Sequence, residues 1–353
     1  MTSERSTLGS TQRHEPARGD RAAPAGTKLL ICVWHRFTLW RPPADVAARV
    51  RRRWPEMNVV HLPTYEHMED EIGDTDIFVG YSLRPEQFTR ARRLKWLHST
   101  AAGVGQLMYP ELRASNVVVT NASGVHTIPM AEHILGTLVA LARHFPAAVR
   151  YQLERRWAQQ EIWDVPQRPR ELAGQTLLII GFGAIGRELA RRVKALGMKV
   201  WAVTRSGNAD TDLAERILPA SRLDEALPQA DFVVLAAPET PETRRLIGAR
   251  QLAAMKPTAF LINVARGSLV DEAALTEALQ RRAIAGAALD VADREPLPPE
   301  SPLWGLENVF ITPHISAASE YLWDRQTELL LENLERWFSG RELLNQVDLQ
   351  RGY

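Results

Sequence analysis

Between positions 28 and 121, short apolar runs alternate with charged amphipathic ones. Residues 29–34, 58–61, 76–80, 95–98 and 117–120 are compact apolar stretches bounded by polar residues. Runs of that length without a polar face predict strands buried on both sides. Segments 44–54 and 85–92 instead repeat apolar residues three and four positions apart, with arginines on the outer face, which predicts helices. Repeated units of this kind build a parallel sheet covered by helices. A long helical stretch is predicted from Pro129 to about Gln152, with Pro146 inside it. A second alternating series starts at Gln175, with strands predicted at 176–180, 199–203, 232–236, 259–263, 283–289 and 309–311. An amphipathic stretch over about 318–338 completes the pattern. If the second series closes at Ile311, that last helix can return to the first domain. The chain then crosses between domains twice, near 121–128 and near 315–320, leaving a hinged cleft that can close on a ligand. The fold class is therefore α/β, with two parallel-sheet domains separated by a cleft.

The strongest local signal is Gly181-Phe182-Gly183-Ala184-Ile185-Gly186, which follows the apolar run 176–180 and opens an amphipathic helix reaching about Leu196. Gly181 permits a tight turn, Gly183 lets the backbone approach a pyrophosphate, and Gly186 lets the helix lie close on the strand. The N–H groups at that helix start, including those of Ala184 and Ile185, suit the phosphates of a dinucleotide. A site selective for NAD usually places Asp or Glu at the end of the next strand. Here the sequence is Val203-Thr204-Arg205-Ser206-Gly207, with no acid. Arg205, with the hydroxyls of Thr204 and Ser206, suits a 2′-phosphate instead. The expected cofactor is NADP in preference to NAD.

Composition narrows the partners. Among 353 residues, Lys plus Arg (43) nearly cancels Asp plus Glu (42), which argues against a dedicated nucleic-acid binder. The single Cys32 lies in an apolar run and reads as a small core residue. One thiol supports neither an internal disulfide nor a cysteine zinc cluster, so no metal and a reducing, cytoplasmic setting are expected. Residues 1–27 read as a disordered tail without the apolar region of a signal peptide. No run is apolar enough to span a bilayer, since even 128–145 carries Glu132, His133 and Arg143. A soluble protein with no membrane partner is expected.

Three ionisable residues stand just past strands or beside turn signals in the second series: Arg266 in Asn263-Val264-Ala265-Arg266-Gly267, Glu295 in Arg294-Glu295-Pro296, and His314 in Thr312-Pro313-His314-Ile315-Ser316. Ligands of open α/β sheets bind beyond the carboxyl ends of strands, where all three would fall. Four blocks in order, GFGAIG, NVARGSLVDE, LDVADREPLP and ITPHIS, make the chain resemble the D-isomer-specific 2-hydroxyacid dehydrogenases, nearest their glyoxylate/hydroxypyruvate reductase branch. The resemblance runs from about Leu29 to Val347.

That resemblance implies two Rossmann-like or flavodoxin-like domains. Residues 28–122 plus 318–345 would bind substrate, and 123–317 would bind the dinucleotide. It implies Arg266, Glu295 and His314 as the catalytic trio, reducing a small 2-oxo acid to the D-2-hydroxy acid. The chemistry agrees: imidazole titrates near neutrality and can give the carbonyl oxygen its proton. Glu295 would stabilise the imidazolium, and Arg266 would fix the carboxylate and polarise the carbonyl. The resemblance also puts Ala237, Pro238, Val264, Ala265 and Asp290 along the cofactor, Asp290 near the nicotinamide carboxamide. Ala102 and Gly103 fall in the loop that holds the substrate carboxylate, although Gly105 stands where that loop commonly has Asp. Glu132 and His133 read as structural. Trp34, His35, Tyr81 and Trp304 are candidates for the substrate side-chain pocket, and a homodimer is implied. Alternatives are a phosphoglycerate- or phosphite-type dehydrogenase of the same family, or a non-enzymatic protein that binds dinucleotide as a signal.

Overall fold

The computed structural model describes residues 24–352, so the tail expected at 1–27 lies outside the described residues up to position 23. Residues 24–27 make a turn in which the Thr27 N–H and hydroxyl both donate to the Pro24 carbonyl. Strands β1 (Lys28–Cys32), β2 (Asn58–Leu62), β3 (Ile77–Gly80), β4 (Trp96–Ser99) and β5 (Val118–Thr120) then form a parallel sheet ordered β2-β1-β3-β4-β5. The second sheet holds β6 (Thr176–Ile180), β7 (Lys199–Thr204), β8 (Arg216–Pro219), β9 (Phe232–Leu235), β10 (Phe260–Asn263), β11 (Gly286–Leu289) and β12 (Val309–Ile311). Its order is β12-β11-β10-β9-β6-β7-β8, again all parallel.

The unbroken apolar character of the strands follows from coverage on both faces. Alternate strand residues point to opposite sides. Leu177 and Ile179 pack with Ile134 and Leu138 of the helix Thr127–Ala142 and Leu189 and Val193 of the helix Ala184–Ala195. Leu178 and Ile180 meet Leu252, Leu275 and Leu279 on the other side. In the first sheet, Leu29 and Ile31 pack on Val46 and Val50 of the helix Ala44–Arg53 and on Leu330 and Leu334 of the last helix, Leu322–Ser339. The last helix thus returns to the first sheet, where Trp96 and Trp337 stack with ring centroids 5.6 Å apart. Each of those buried leucines contributes about 1.5–3 kcal/mol.

Three features depart from the sequence reading. The stretch 129–152 is two helices, Thr127–Ala142 and Phe145–Leu153, separated at His144, whose φ of 58° is left-handed. Pro146 has no N–H for the Ala142 carbonyl four residues back, and its ring would crowd that oxygen. Strand β8 was not expected. It lies at the sheet edge, buries only Leu218 and ends in Pro219, so it carries no apolar run, and a proline is tolerated there. Finally, the chain beyond the last helix lines the outer edge of β5. Thr120 and Gln346 form an antiparallel bridge, and the Val347 N–H donates to the Val119 carbonyl at 2.8 Å. The carboxamide of Asn333 clamps Leu344 at both backbone groups, at 3.1 and 2.8 Å, so an otherwise open strand edge is covered.

Strand order locates the cleft. In the large sheet the chain runs outward one way from β6 through β7 and the other way from β9, so a crevice opens at their carboxyl ends. The small sheet has the same reversal between β1 and β3.

Candidate active site

The glycine turn sits in the large sheet's crevice. Gly181 has a φ of +98°, and a Cβ there would lie 2.5 Å from the backbone of Ala236 and Ala237, the turn after β9. Only glycine lets the turns after β6 and β9 meet this closely. A Cβ on Gly186 would lie 2.5 Å from the Gly181 carbonyl oxygen, so the helix lies against its own turn. Gly183 faces open space, with nothing within 4 Å of its added Cβ. The first helical bond runs from the Arg187 N–H to the Gly183 carbonyl, so the N–H groups of Ala184, Ile185 and Gly186 precede the helical ladder. An open glycine face in front of unladdered N–H groups fits a pyrophosphate.

Thr204 ends β7, and its hydroxyl accepts the Gly207 N–H at 3.0 Å. Arg205 and Ser206 follow on the surface. The carboxyl of Glu242, in the loop after β9, is held below its usual range by a bond with Thr240 and in smaller part by the charge of Arg205. In that loop Ala237 and Pro238 follow the strand, and the Thr243 hydroxyl donates to the Pro238 carbonyl at 2.7 Å. Beyond β10, Val264 and Ala265 are buried. The Asn263 carboxamide accepts the Ala265 N–H at 3.0 Å and donates to the Arg266 carbonyl at 2.9 Å. That side chain sets the aim of Arg266. It escaped the sequence reading, although an Asn at a strand end is a recognised turn former.

The loops after β10, β11 and β12 bring the three ionisable residues together. A Cβ on Gly267 would land on the Ala292 carbonyl, so the loop bearing Arg266 presses on the loop bearing Glu295. The Glu295 carboxylate accepts the Ala292 N–H at 3.1 Å and the His314 Nδ1–H at 2.6 Å. Burial pushes the Glu295 carboxyl up, but the bonds from His314 and Ala292 and the Arg266 charge outweigh it and hold the group below the usual carboxylate range. Arg266 also reaches the other sheet: its Nη2 would lie 2.8 Å from a Cβ on Gly103, in the loop after β4. Ala102 is tied there as well, its carbonyl accepting the Asn121 side-chain amide at 2.8 Å.

Asp290, expected near the cofactor, is almost wholly buried and engaged by its own chain. Its carboxylate accepts the Thr312 hydroxyl at 2.6 Å, the Ile315 N–H at 2.9 Å and the Ser316 N–H at 2.9 Å. Burial opposes its ionisation, and the bonds from Ser316, Thr312 and Ile315 overcome that and lower its pKa. His126, in the first crossing, also escaped the sequence reading. Burial pushes its pKa down to about 4, against a smaller opposing effect of the Ala317 backbone. Trp34 and His35 follow β1 and Tyr81 follows β3, at the carboxyl end of the small sheet, where Gly103 also lies after β4. Trp304 lies in the segment after Glu295, its indole N–H donating to the Pro298 carbonyl at 3.0 Å.

Residues 135–316 match the family model described as the NAD-binding domain of D-isomer specific 2-hydroxyacid dehydrogenases. The chain belongs to the D-isomer specific 2-hydroxyacid dehydrogenase family. It is 36% identical over 293 residues to the glyoxylate reductase of Korarchaeum cryptofilum, covering 80% of this chain and 87% of that one. A family member from Xanthobacter autotrophicus Py2, solved with NADPH and MES, superposes with a TM-score of 0.79 at 30% identity, covering 94% of this chain and 100% of the other. The NADPH-dependent glyoxylate/hydroxypyruvate reductase of Sinorhizobium meliloti, solved with NADP and sulfate, gives 0.78 at 28% identity, covering 93% and 100%. The two-sheet architecture described above is the architecture of this dehydrogenase family.

Proposed function

We propose that this chain reduces a short 2-oxo acid of the glyoxylate or hydroxypyruvate kind to the D-2-hydroxy acid, with NADPH preferred over NADH. The observation that carries the reading is the 2.6 Å bond from His314 Nδ1 to Glu295, in the cleft that the Arg266 guanidinium also reaches. With Nδ1–H engaged by the carboxylate, the proton to be transferred sits on Nε2. When bound, the reduced nicotinamide supplies the hydride to C2. The His314 Nε2–H then gives its proton to the carbonyl oxygen, and the neutral imidazole recovers a proton from solvent. Arg266 takes the substrate carboxylate as a two-pronged donor and stabilises charge developing on the carbonyl oxygen. The backbone N–H groups of Ala102 and Gly103 complete the carboxylate site.

The N–H groups of Ala184, Ile185 and Gly186 hold the pyrophosphate, and Thr204, Arg205 and Ser206 the 2′-phosphate. Ala237, Pro238, Val264 and Ala265 flank the rest of the cofactor, while Asp290 contributes by shaping its loop. Residues 28–122 with 318–345 are the substrate domain, 123–317 the dinucleotide domain, and the two crossings the hinges.

A second copy of the chain is the partner for the helix Phe145–Leu153. Phe145, Val149 and Leu153 recur at helical spacing, no residue of that helix is buried, and Trp157 beyond it is 94% exposed. No helix among the described residues is long and apolar enough to cross a membrane. A reducing, cytoplasmic setting suits Cys32, a buried thiol whose pKa burial raises to about 12. The test is a panel of 2-oxo acids, each offered with NADPH and with NADH and followed by nicotinamide absorbance. Turnover of glyoxylate or hydroxypyruvate with NADPH is expected. Binding of dinucleotide without oxidation on any 2-oxo acid would refute the enzyme reading.

A further inference from the structure

We propose that His133, on the helix leaving the first hinge, is a positioning residue for His314, acting through Thr312 and Asp290. The proposal rests on the reductase reading above. His314 has a φ of 52°, left-handed for a residue that is not glycine. A side chain holding a proton in such a backbone conformation needs its loop held from outside.

The holding group is Asp290. Its carbonyl accepts the His314 N–H at 2.8 Å, and its two carboxylate oxygens accept the next two N–H groups, those of Ile315 and Ser316, each at 2.9 Å. Three successive backbone donors around His314 therefore end on one residue. The orientation of that carboxylate is set in turn by the Thr312 hydroxyl, 2.6 Å from Oδ1.

A hydroxyl has one hydrogen, and here the carboxylate takes it. The Thr312 oxygen can then only accept from the third group at this point, His133 Nε2, at 3.2 Å. This fixes the His133 tautomer with its proton on Nε2. Burial lowers the proton affinity of the His133 ring against the attraction of Asp290, which keeps the ring a neutral donor near neutrality. His133 Nε2 lies 3.9 Å from Asp290 Oδ1, too far for a direct hydrogen bond, so Thr312 is the link. The bonds run without a gap from the hinge helix to the loop that carries the proton donor. His133 was expected to be structural, and the geometry gives it a more specific task.

Four variants test this: His133→Leu, His133→Gln, Thr312→Val and the Leu/Val double variant. His133→Leu is expected to lower kcat roughly tenfold or more, the size of effect a small misplacement of a catalytic group produces. The Kd for NADPH should stay unchanged, and His133→Gln, which keeps a side-chain N–H donor, should recover most of the loss. Thr312→Val should lose kcat to a similar extent, and the double variant should be no slower than Thr312→Val alone. Hydrogen exchange of peptides covering 312–318 should accelerate in His133→Leu. That arm needs no turnover, so it still reports on the tether if the wild type reduces no 2-oxo acid. Multiplicative losses in the double variant, unchanged exchange in His133→Leu, or a matching loss of NADPH affinity would each overturn the proposal.

Discussion

Replacing Glu295 by Gln removes a charge while leaving an oxygen able to accept the His314 Nδ1–H. The variant therefore separates the electrostatic part of the 2.6 Å interaction from its geometry. Two unit charges about 4 Å apart attract by about 1 kcal/mol in water and about 4 kcal/mol at an effective dielectric of 20. The side chains of His314 and Glu295 are 44% and 38% exposed, so solvent screening puts the pair near the lower figure. A loss of about 1–2 kcal/mol of imidazolium stabilisation follows, roughly a five- to thirtyfold change. The assay is kcat/KM for 2-oxo acid reduction against pH, with NADPH saturating. Reduction draws its proton from His314, so reductive kcat/KM should fall by that factor in Glu295→Gln. Oxidation of the 2-hydroxy acid uses the neutral imidazole as base, so it should lose less than reduction does.

The wild-type acid limb has its own sign. The Glu295 carboxyl is held below its usual range, so its contribution is present above the ordinary carboxylate pKa. It is lost only as pH falls through the lowered value. A Glu295→Gln enzyme with reductive kcat/KM within twofold of wild type would refute the catalytic pairing.

Arg205→Ala should raise the KM for NADPH roughly ten- to hundredfold, the worth of a charge-assisted hydrogen bond, while the KM for NADH stays nearly constant; equal effects on both cofactors would contradict the 2′-phosphate assignment. Gly267→Ala drives a Cβ into the Ala292 backbone, which no side-chain rotation relieves. It should cost about 3 kcal/mol, visible as a Tm several degrees lower together with a reduced kcat. Leu153→Arg places a charge on the exposed stripe of the helix Phe145–Leu153; light scattering should show monomer for the variant and dimer for the wild type.

Much of the architecture is legible along the chain because its causes are local. A strand covered on both faces is apolar at its buried positions on either side, which is why 176–180 and 232–236 announce themselves. A turn at +98° pressed against another backbone accepts only glycine, so Gly181 does as well. Strand β8 is hidden for the converse reason: an edge strand with one buried residue has no pattern to display. His144 is a partial case: Pro146 marks in the sequence that the helix must break, but the left-handed backbone at His144 that makes the break is marked by no periodicity.

The order of the four blocks and the residue types in them were set in the sequence, and so were the glycines and the missing acid after β7. What only the folded chain decides is which of those groups meet. His314 and Glu295 stand 19 positions apart, and Thr312 and His133 stand 179 apart. No repeat or spacing encodes such pairs, because each contact is made by the packing of loops at the carboxyl ends of the large sheet, and of the helix Thr127–Ala142 against it. Asp290 makes the point most directly. The family resemblance puts it near the nicotinamide carboxamide, and nothing in the sequence says what holds its carboxylate. In the fold its buried carboxylate finds the backbone N–H groups of Ile315 and Ser316, and a charge taken out of water must take such partners.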